Sequence, residues 1–256
     1  VNGLSERIAL YYDDASGERY EEKAFKKLGR PYTKIGPEKV TLQDLRSFDV
    51  VFIPGAFPLK RHGKGGFRPF LRFLRRLVEN YGETFIEYLE GGGRMVFVCA
   101  SVGVLGRSLR FPYFHSSLGV RTLSLFDFYA VYGPKIGTVD LTAVGYRNGR
   151  SKKVVEGLLG KYARMDYFTT LYFRGPAMFY GKRRVIRHPS SEGSGEELMV
   201  ATYLDKHPRL YKEGAIAYRR VGGGEVVACS VHPEFSTWDL FESMIKYLSS
   251  GETDAA

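Results

Sequence analysis

Short apolar runs recur along the chain, separated by stretches with helical spacing. Arg7-Ile8-Ala9-Leu10-Tyr11-Tyr12 closes at Asp13-Asp14-Ala15-Ser16-Gly17, and Asp49-Val50-Val51-Phe52-Ile53 closes at Pro54-Gly55-Ala56. Each reads as a strand buried on both faces that leaves into a turn. Residues 95–98 form a third such run, ending at Cys99. Between the runs, residues 18–28 place Tyr20, Ala24 and Leu28 on one helical face, with Gly29 as the stop. Residues 42–48 predict a short helix. From Phe67 an amphipathic helix carries Phe67, Phe70, Leu71, Leu74, Leu77 and Val78 on one stripe, with Arg68, Arg72, Arg75 and Arg76 off it. Residues 84–90 and 100–109 predict two further helices.

Residues 111–182 are aromatic and strand-rich, and no pattern in them sets a topology. Residues 197–205 predict a strand. Residues 214–220 and 225–231 flank Val221-Gly222-Gly223-Gly224 and predict a β-hairpin. The last helix, 237–248, turns Leu240, Met244, Ile245 and Leu248 inward, with Ser236 or Thr237 at its cap. Strands alternating with helices predict an α/β three-layer sandwich: a mainly parallel sheet with helices on both faces. With 256 residues the chain can bury a full core. No repeat or long linker divides it, so residues 1–249 read as a single domain and 250–256 as a frayed tail.

Composition narrows the function classes. No apolar run approaches the roughly 20 residues that span a bilayer, and the first residues lack a basic-then-apolar leader, so the expected location is cytoplasmic. Two cysteines make no disulfide framework. There is no CxxC, no HExxH and no His cluster, so neither a metal nor another cofactor is expected. His62, His115, His188 and His207 receive no role. The formal net charge is +10. Seven Lys or Arg and no acid fall within residues 60–76. A solvated helix face and loop is the simpler reading of that segment, and nucleic-acid binding is the weaker one. A third reading has the segment overhang a pocket and favour an anionic ligand.

Ligands of such sheets bind outside the carboxyl ends of the strands. Three predicted strand ends deliver functional groups there: Ile53 leads to Gly55 and Ala56, Val98 to Cys99, and Val231 to His232-Pro233-Glu234. Thiol catalysis needs a thiolate, a base that makes it and a group that orients the base. Cys99, His232 and Glu234 are those residue types. The N–H of Ala100, with that of Gly55 or Ala56, would form an oxyanion hole. Cys229, inside an apolar strand, reads as a small core residue. Gly175-Pro176 either lines the pocket or turns the chain, the turn being favoured. Asp13 and Asp14 lie at the same edge, with helix capping the favoured role.

A strand running into Cys99 and another ending in His232-Pro233-Glu234 resemble the class I glutamine amidotransferase-like superfamily. Within it the chain is most similar to the N-terminal domain of biotin–protein ligases and its stand-alone relatives. The stretches that carry this likeness are Ile53-Pro54-Gly55, Gly92-Gly93-Arg94, Cys99-Ala100, Tyr172-Phe173-Arg174-Gly175-Pro176, Val200-Ala201-Thr202-Tyr203, Ala215-Ile216-Ala217 and His232-Pro233-Glu234. The resemblance implies a flavodoxin-like sheet and Cys99, His232 and Glu234 as triad positions.

There are departures. The superfamily usually has small residues, mostly glycine, two places either side of the cysteine; here Phe97 and Ser101 stand there, and both become candidate pocket residues. Ala56 replaces a usual glycine. No ammonia-using synthetase domain follows, so such chemistry would use a separate subunit. The Gly-Arg-Gly motif of biotin ligases is absent, so biotin transfer is not expected. The leading expectation is a stand-alone cysteine hydrolase of a small amide. The alternative is a non-catalytic ligand-binding or regulatory module that reuses the pocket. The oligomeric state has no sequence signal.

Overall fold

The computed structural model of the protein describes residues 7–13, 16, 19–55, 67–110, 120–132, 136–144, 149–173, 175–180, 197–204 and 212–250. The chain begins with β1 (Ile8–Tyr11), α1 (Arg19–Lys27), β2 (Thr33–Ile35), α2 (Leu42–Leu45) and β3 (Val50–Ile53). Then come α3 (Phe67–Arg75), α4 (Gly82–Glu90), β4 (Arg94–Val98), β5 (Ser108–Arg110), β6 (Tyr129–Tyr132) and β7 (Ile136–Ala143). The remainder is α5 (Gly149–Leu159), β8 (Phe168–Phe173), β9 (Pro176–Phe179), β10 (Glu197–Tyr203), β11 (Gly214–Val221), β12 (Gly224–Cys229), α6 (Pro233–Ser236) and α7 (Trp238–Ser250).

Among the described residues twelve strands form one sheet, whose main path runs β2-β1-β3-β4-β12-β11-β10-β7-β8. From β2 to β12 the neighbours are parallel. From β12 to β8 they are antiparallel. The parallel strands β1, β3 and β4 are the continuous apolar runs of the sequence, as burial on both faces requires. Aromatic residues mark the two covering layers. Phe25 of α1 and Phe241 of α7 pack on Phe52 of β3, with ring centroids 5.2 and 5.5 Å away. On the opposite face Phe73 of α3 meets Tyr11 of β1 at 6.2 Å, and Phe85 of α4 meets Phe97 of β4 at 6.1 Å. The architecture is the expected α/β sandwich with helices on both faces. The aromatic middle of the chain, residues 111–182, supplies β6 to β9, of which β7 and β8 form the far end of the antiparallel half.

The far strand of the antiparallel half returns to the parallel core. The His232 N–H donates to the Leu171 carbonyl of β8 at 2.9 Å, an isolated antiparallel bridge. The hydroxyls of Thr170 and Thr237 meet at 2.9 Å beside it. The chain leaving β12, a strand that is itself paired with β4, is therefore held by β8 as well.

Three local expectations change. Residues 100–109 are not a helix: Cys99–Val104 is a 3-10 turn and Ser108–Arg110 is a strand. Two valines and Gly103 make the segment a poor helix former, and Gly106 brings the backbone against Phe128, where a Cβ would lie 2.6 Å from the ring. Arg76 does not lie on an outer polar face. A π-helical turn, Arg76–Asn80, follows α3, and Arg76 pairs with the buried Asp13 carboxylate at 2.9 Å. In α1 the buried residues are Glu21, Ala24 and Phe25 rather than a Tyr20–Leu28 stripe. The tail 251–256, the four unassigned histidines, Asp14, Ala56 and the basic residues Lys60, Arg61 and Lys64 lie outside the described residues.

Candidate active site

β4 and β12 are neighbours in register, Glu225 opposite Arg94 and Cys229 opposite Val98. At their starting ends the Arg94 guanidinium meets the Glu225 carboxylate at 3.3 Å, and the Tyr218 hydroxyl donates to the same carboxylate at 2.7 Å. This fixes the register from below, so the two strands end side by side above. The Gly92-Gly93-Arg94 stretch thus serves the opposite end of the strands from Cys99.

At the upper end the backbone turns sharply. Cys99 has φ +53°, left-handed and unfavourable for a residue with a Cβ. Strain of this kind clusters where a side chain must be presented clear of its own strand. The Ser101 hydroxyl sits under the turn, 2.8 Å from the Val98 carbonyl and 3.1 Å from the Ile53 carbonyl. It ties the end of β4 to the end of β3. Gly55 follows β3 and abuts Cys99: a Cβ on it would lie 3.0 Å from the Cys99 Cβ and 3.5 Å from its Sγ. Ala100 is the second residue of the 3-10 turn and is buried.

His232 leaves β12 through Ser230, whose N–H donates to the Ala215 carbonyl at 2.8 Å. Pro233 opens the short helix α6 with φ already set for it, and Glu234 occupies the next position. The Glu234 carboxylate turns back to His232, with Oε1 2.5 Å from Nδ1, and both side chains are buried. Trp238 donates its indole N–H to the Glu234 carbonyl at 2.8 Å and steadies the turn. Burial opposes charge on the imidazole. The negative charges and hydrogen bonds of Cys99 and Glu234 outweigh it and hold the His232 pKa well above its ordinary value. Nδ1 faces Glu234, and the influence of Cys99 on the imidazole places the thiol close to the ring. Two distant parts of the chain, Cys99 and the His232–Glu234 pair, thus bring a thiol, an imidazole and a carboxylate together in the interior.

The other candidates fall in different places. Phe97 is fully buried, and its ring stands edge-on to Phe85 of α4 inside one covering layer. Ser101 is occupied with the two strand-end carbonyls. Gly175 lies behind His232: a Cβ there would be 2.2 Å from the Ser230 carbonyl oxygen, so only glycine lets the chains approach. The Gly175 carbonyl accepts from the Tyr172 hydroxyl at 2.6 Å. Pro176 pairs with Tyr132 between β9 and β6. Asp13 accepts the Ser16 N–H at 3.1 Å and closes its own turn. Sequence reasoning missed Tyr132, Leu171 and Tyr172 around the site. Tyr172 had a signal, since it opens one of the family-like stretches; the other two had none.

No family model matches the chain, and no curated protein matches it. Solved structures do. A chain of the PurLQS structure from Thermotoga maritima superposes with TM-score 0.61 at 14% identity, covering 96% of this chain and 100% of that one. A protein described as a GMP synthase subunit from Thermoplasma acidophilum gives TM-score 0.56 at 12% identity, covering 96% and 95%. A β-galactosidase from Bacillus circulans sp. alkalophilus gives 0.52 at 12%, covering 94% of this chain but 31% of its own. Among the described residues no helix is long and apolar enough to cross a membrane. At these identities the likeness concerns architecture, and that architecture is the glutamine amidotransferase-like α/β fold.

Proposed function

We propose that the protein is a cysteine-dependent hydrolase of a small amide, working as amidotransferase-type enzymes do. The Cys99 thiolate attacks the amide carbonyl while the His232 imidazolium protonates the departing nitrogen. Water then attacks the thioester, with His232 taking its proton. Glu234 keeps the imidazole oriented and offsets its charge. The N–H groups of Ala100 and of Gly55 or Ala56 receive the oxyanion. The observation that carries the reading is the strained Cys99 turn set against a buried imidazole–carboxylate pair. Released ammonia would pass to a separate synthetase subunit. Similarity to a chain of PurLQS and to the GMP synthase protein supports that pairing. The finer likeness to the biotin–protein ligase N-terminal domain rests on the sequence stretches alone.

The test is ammonia release from glutamine and a panel of small amides. The reading expects turnover by the wild type that is lost in Cys99→Ala; turnover retained in that variant contradicts it. One observation favours a second reading, a ligand-binding or regulatory module: Cys99 is only 1% exposed. That reading expects a ligand retained in native mass spectra of both the wild type and Cys99→Ala, with no turnover by either.

A further inference from the structure

The proposed chemistry gives no task to the buried Tyr132 hydroxyl close to Cys99. Tyr132 ends β6, in the small sub-sheet where β6 pairs with β5 and β9. Its hydroxyl donates to the Ala100 carbonyl at 2.6 Å. That carbonyl belongs to the peptide that follows the Cys99 turn. The Tyr132 ring is held edge-on by Phe70 of α3, with centroids 5.6 Å apart. Gly103 makes the room: a Cβ there would lie 2.0 Å from the Tyr132 hydroxyl oxygen. Burial, and then the charge of Cys99, keep the phenol proton in place far into alkaline solution, so the hydroxyl remains a donor.

A left-handed conformation at a residue with a side chain persists only where surrounding contacts over-determine it. Ser101 secures the base of the turn from within, to Val98 and Ile53. The Tyr132 bond reaches the turn from a strand outside the main path of the sheet. We propose that Tyr132 is a positioning residue for the nucleophile: by holding the Ala100–Ser101 peptide it keeps Cys99 in the conformation that faces His232. The assignment rests on Cys99 being the nucleophile. It predicts that loss of one hydroxyl, with the ring left in place, impairs Cys99 and spares Cys229.

The experiment compares iodoacetamide alkylation of the folded wild type and Tyr132→Phe from pH 5 to 9, with each cysteine resolved by mass spectrometry. The expected result is a Cys99 rate lower by about fivefold to tenfold at pH 7, the worth of one buried hydrogen bond. The pH profile of that rate is displaced, and the Cys229 rate is unchanged. An unaltered Cys99 profile, or parallel changes at both cysteines, overturns the assignment. Gly103→Ala pushes the hydroxyl off the carbonyl from the other side, and the same criteria decide the matter should Tyr132→Phe fail to fold. A wild-type Cys99 no more reactive than Cys229 removes the nucleophile and this assignment with it. A reactive wild type with an unaltered Tyr132→Phe removes this assignment alone.

Discussion

Cys99 and Cys229 end neighbouring parallel strands, one residue out of register, and both are buried. Exposure does not separate them; backbone and partners do. Cys229 completes a regular strand and gives its weak S–H bond to the Val231 carbonyl at 3.6 Å. Burial, reinforced by the charge of Glu234, pushes its thiol far up, out of the range where a thiolate forms. Cys99 stands one step beyond its strand, at φ +53°, close enough to raise the pKa of an imidazole that Glu234 also holds. Two chemically identical side chains thus acquire different prospects from a single backbone turn. Cysteine reactivity follows such surroundings more than composition.

The difference between the two cysteines can be broken from the imidazole side. His232→Gln should lower the alkylation rate of Cys99 by about 100-fold, the range of a lost acid–base partner, and leave Cys229 unmoved. Equal rates before and after would dissolve the distinction. Gly55→Ala acts on Cys99 directly, because the new methyl would press on the Cys99 Cβ at 3.0 Å. Site-resolved labelling should show Cys99 slowed about fivefold with Cys229 unchanged, roughly one buried interaction lost. Ser101→Ala removes the tie between the ends of β3 and β4. Urea denaturation should then register a loss of about 1–1.5 kcal/mol, and no loss would deny the tie.

The smallest effect concerns pH. The folded His232 pKa lies above its ordinary 6.5, so the folded state holds that proton more tightly than the unfolded chain. The resulting stability is fully present below about pH 6.5 and is lost as pH rises through the folded value. Urea midpoints for wild type and His232→Gln should therefore converge on the alkaline side. A gap that widens with pH would contradict the ion-pair account of the site.

The legible parts of this molecule are those encoded locally. The runs ending at Ile53 and Val98 carry their own burial signal, and His232-Pro233-Glu234 carries its own turn, with Pro233 starting a helix and Glu234 folding back. The hairpin around Gly222 is equally readable, and that glycine takes the left-handed turn, φ +58°. What stays hidden depends on contacts between distant segments. Tyr132 reaches Ala100 only because β6 docks through β9 onto β11. Leu171 reaches His232 only because the antiparallel strands curl back. Arg76 reads as a surface cation until a π-helical turn brings it to Asp13. Phe97, conspicuous where the superfamily has small residues, stands against Phe85 because alternation along β4 turns it toward α4.

The central claim is that the backbone turn at Cys99 and the imidazole facing it make one buried thiol reactive while its neighbour stays inert. Iodoacetamide alkylation of the native wild-type protein at pH 7, followed at both cysteines by mass spectrometry, measures this directly. The account predicts that Cys99 is consumed at least roughly 100-fold faster than Cys229, the scale that a positioned acid–base partner supplies. Slow labelling of both at the same rate would contradict it.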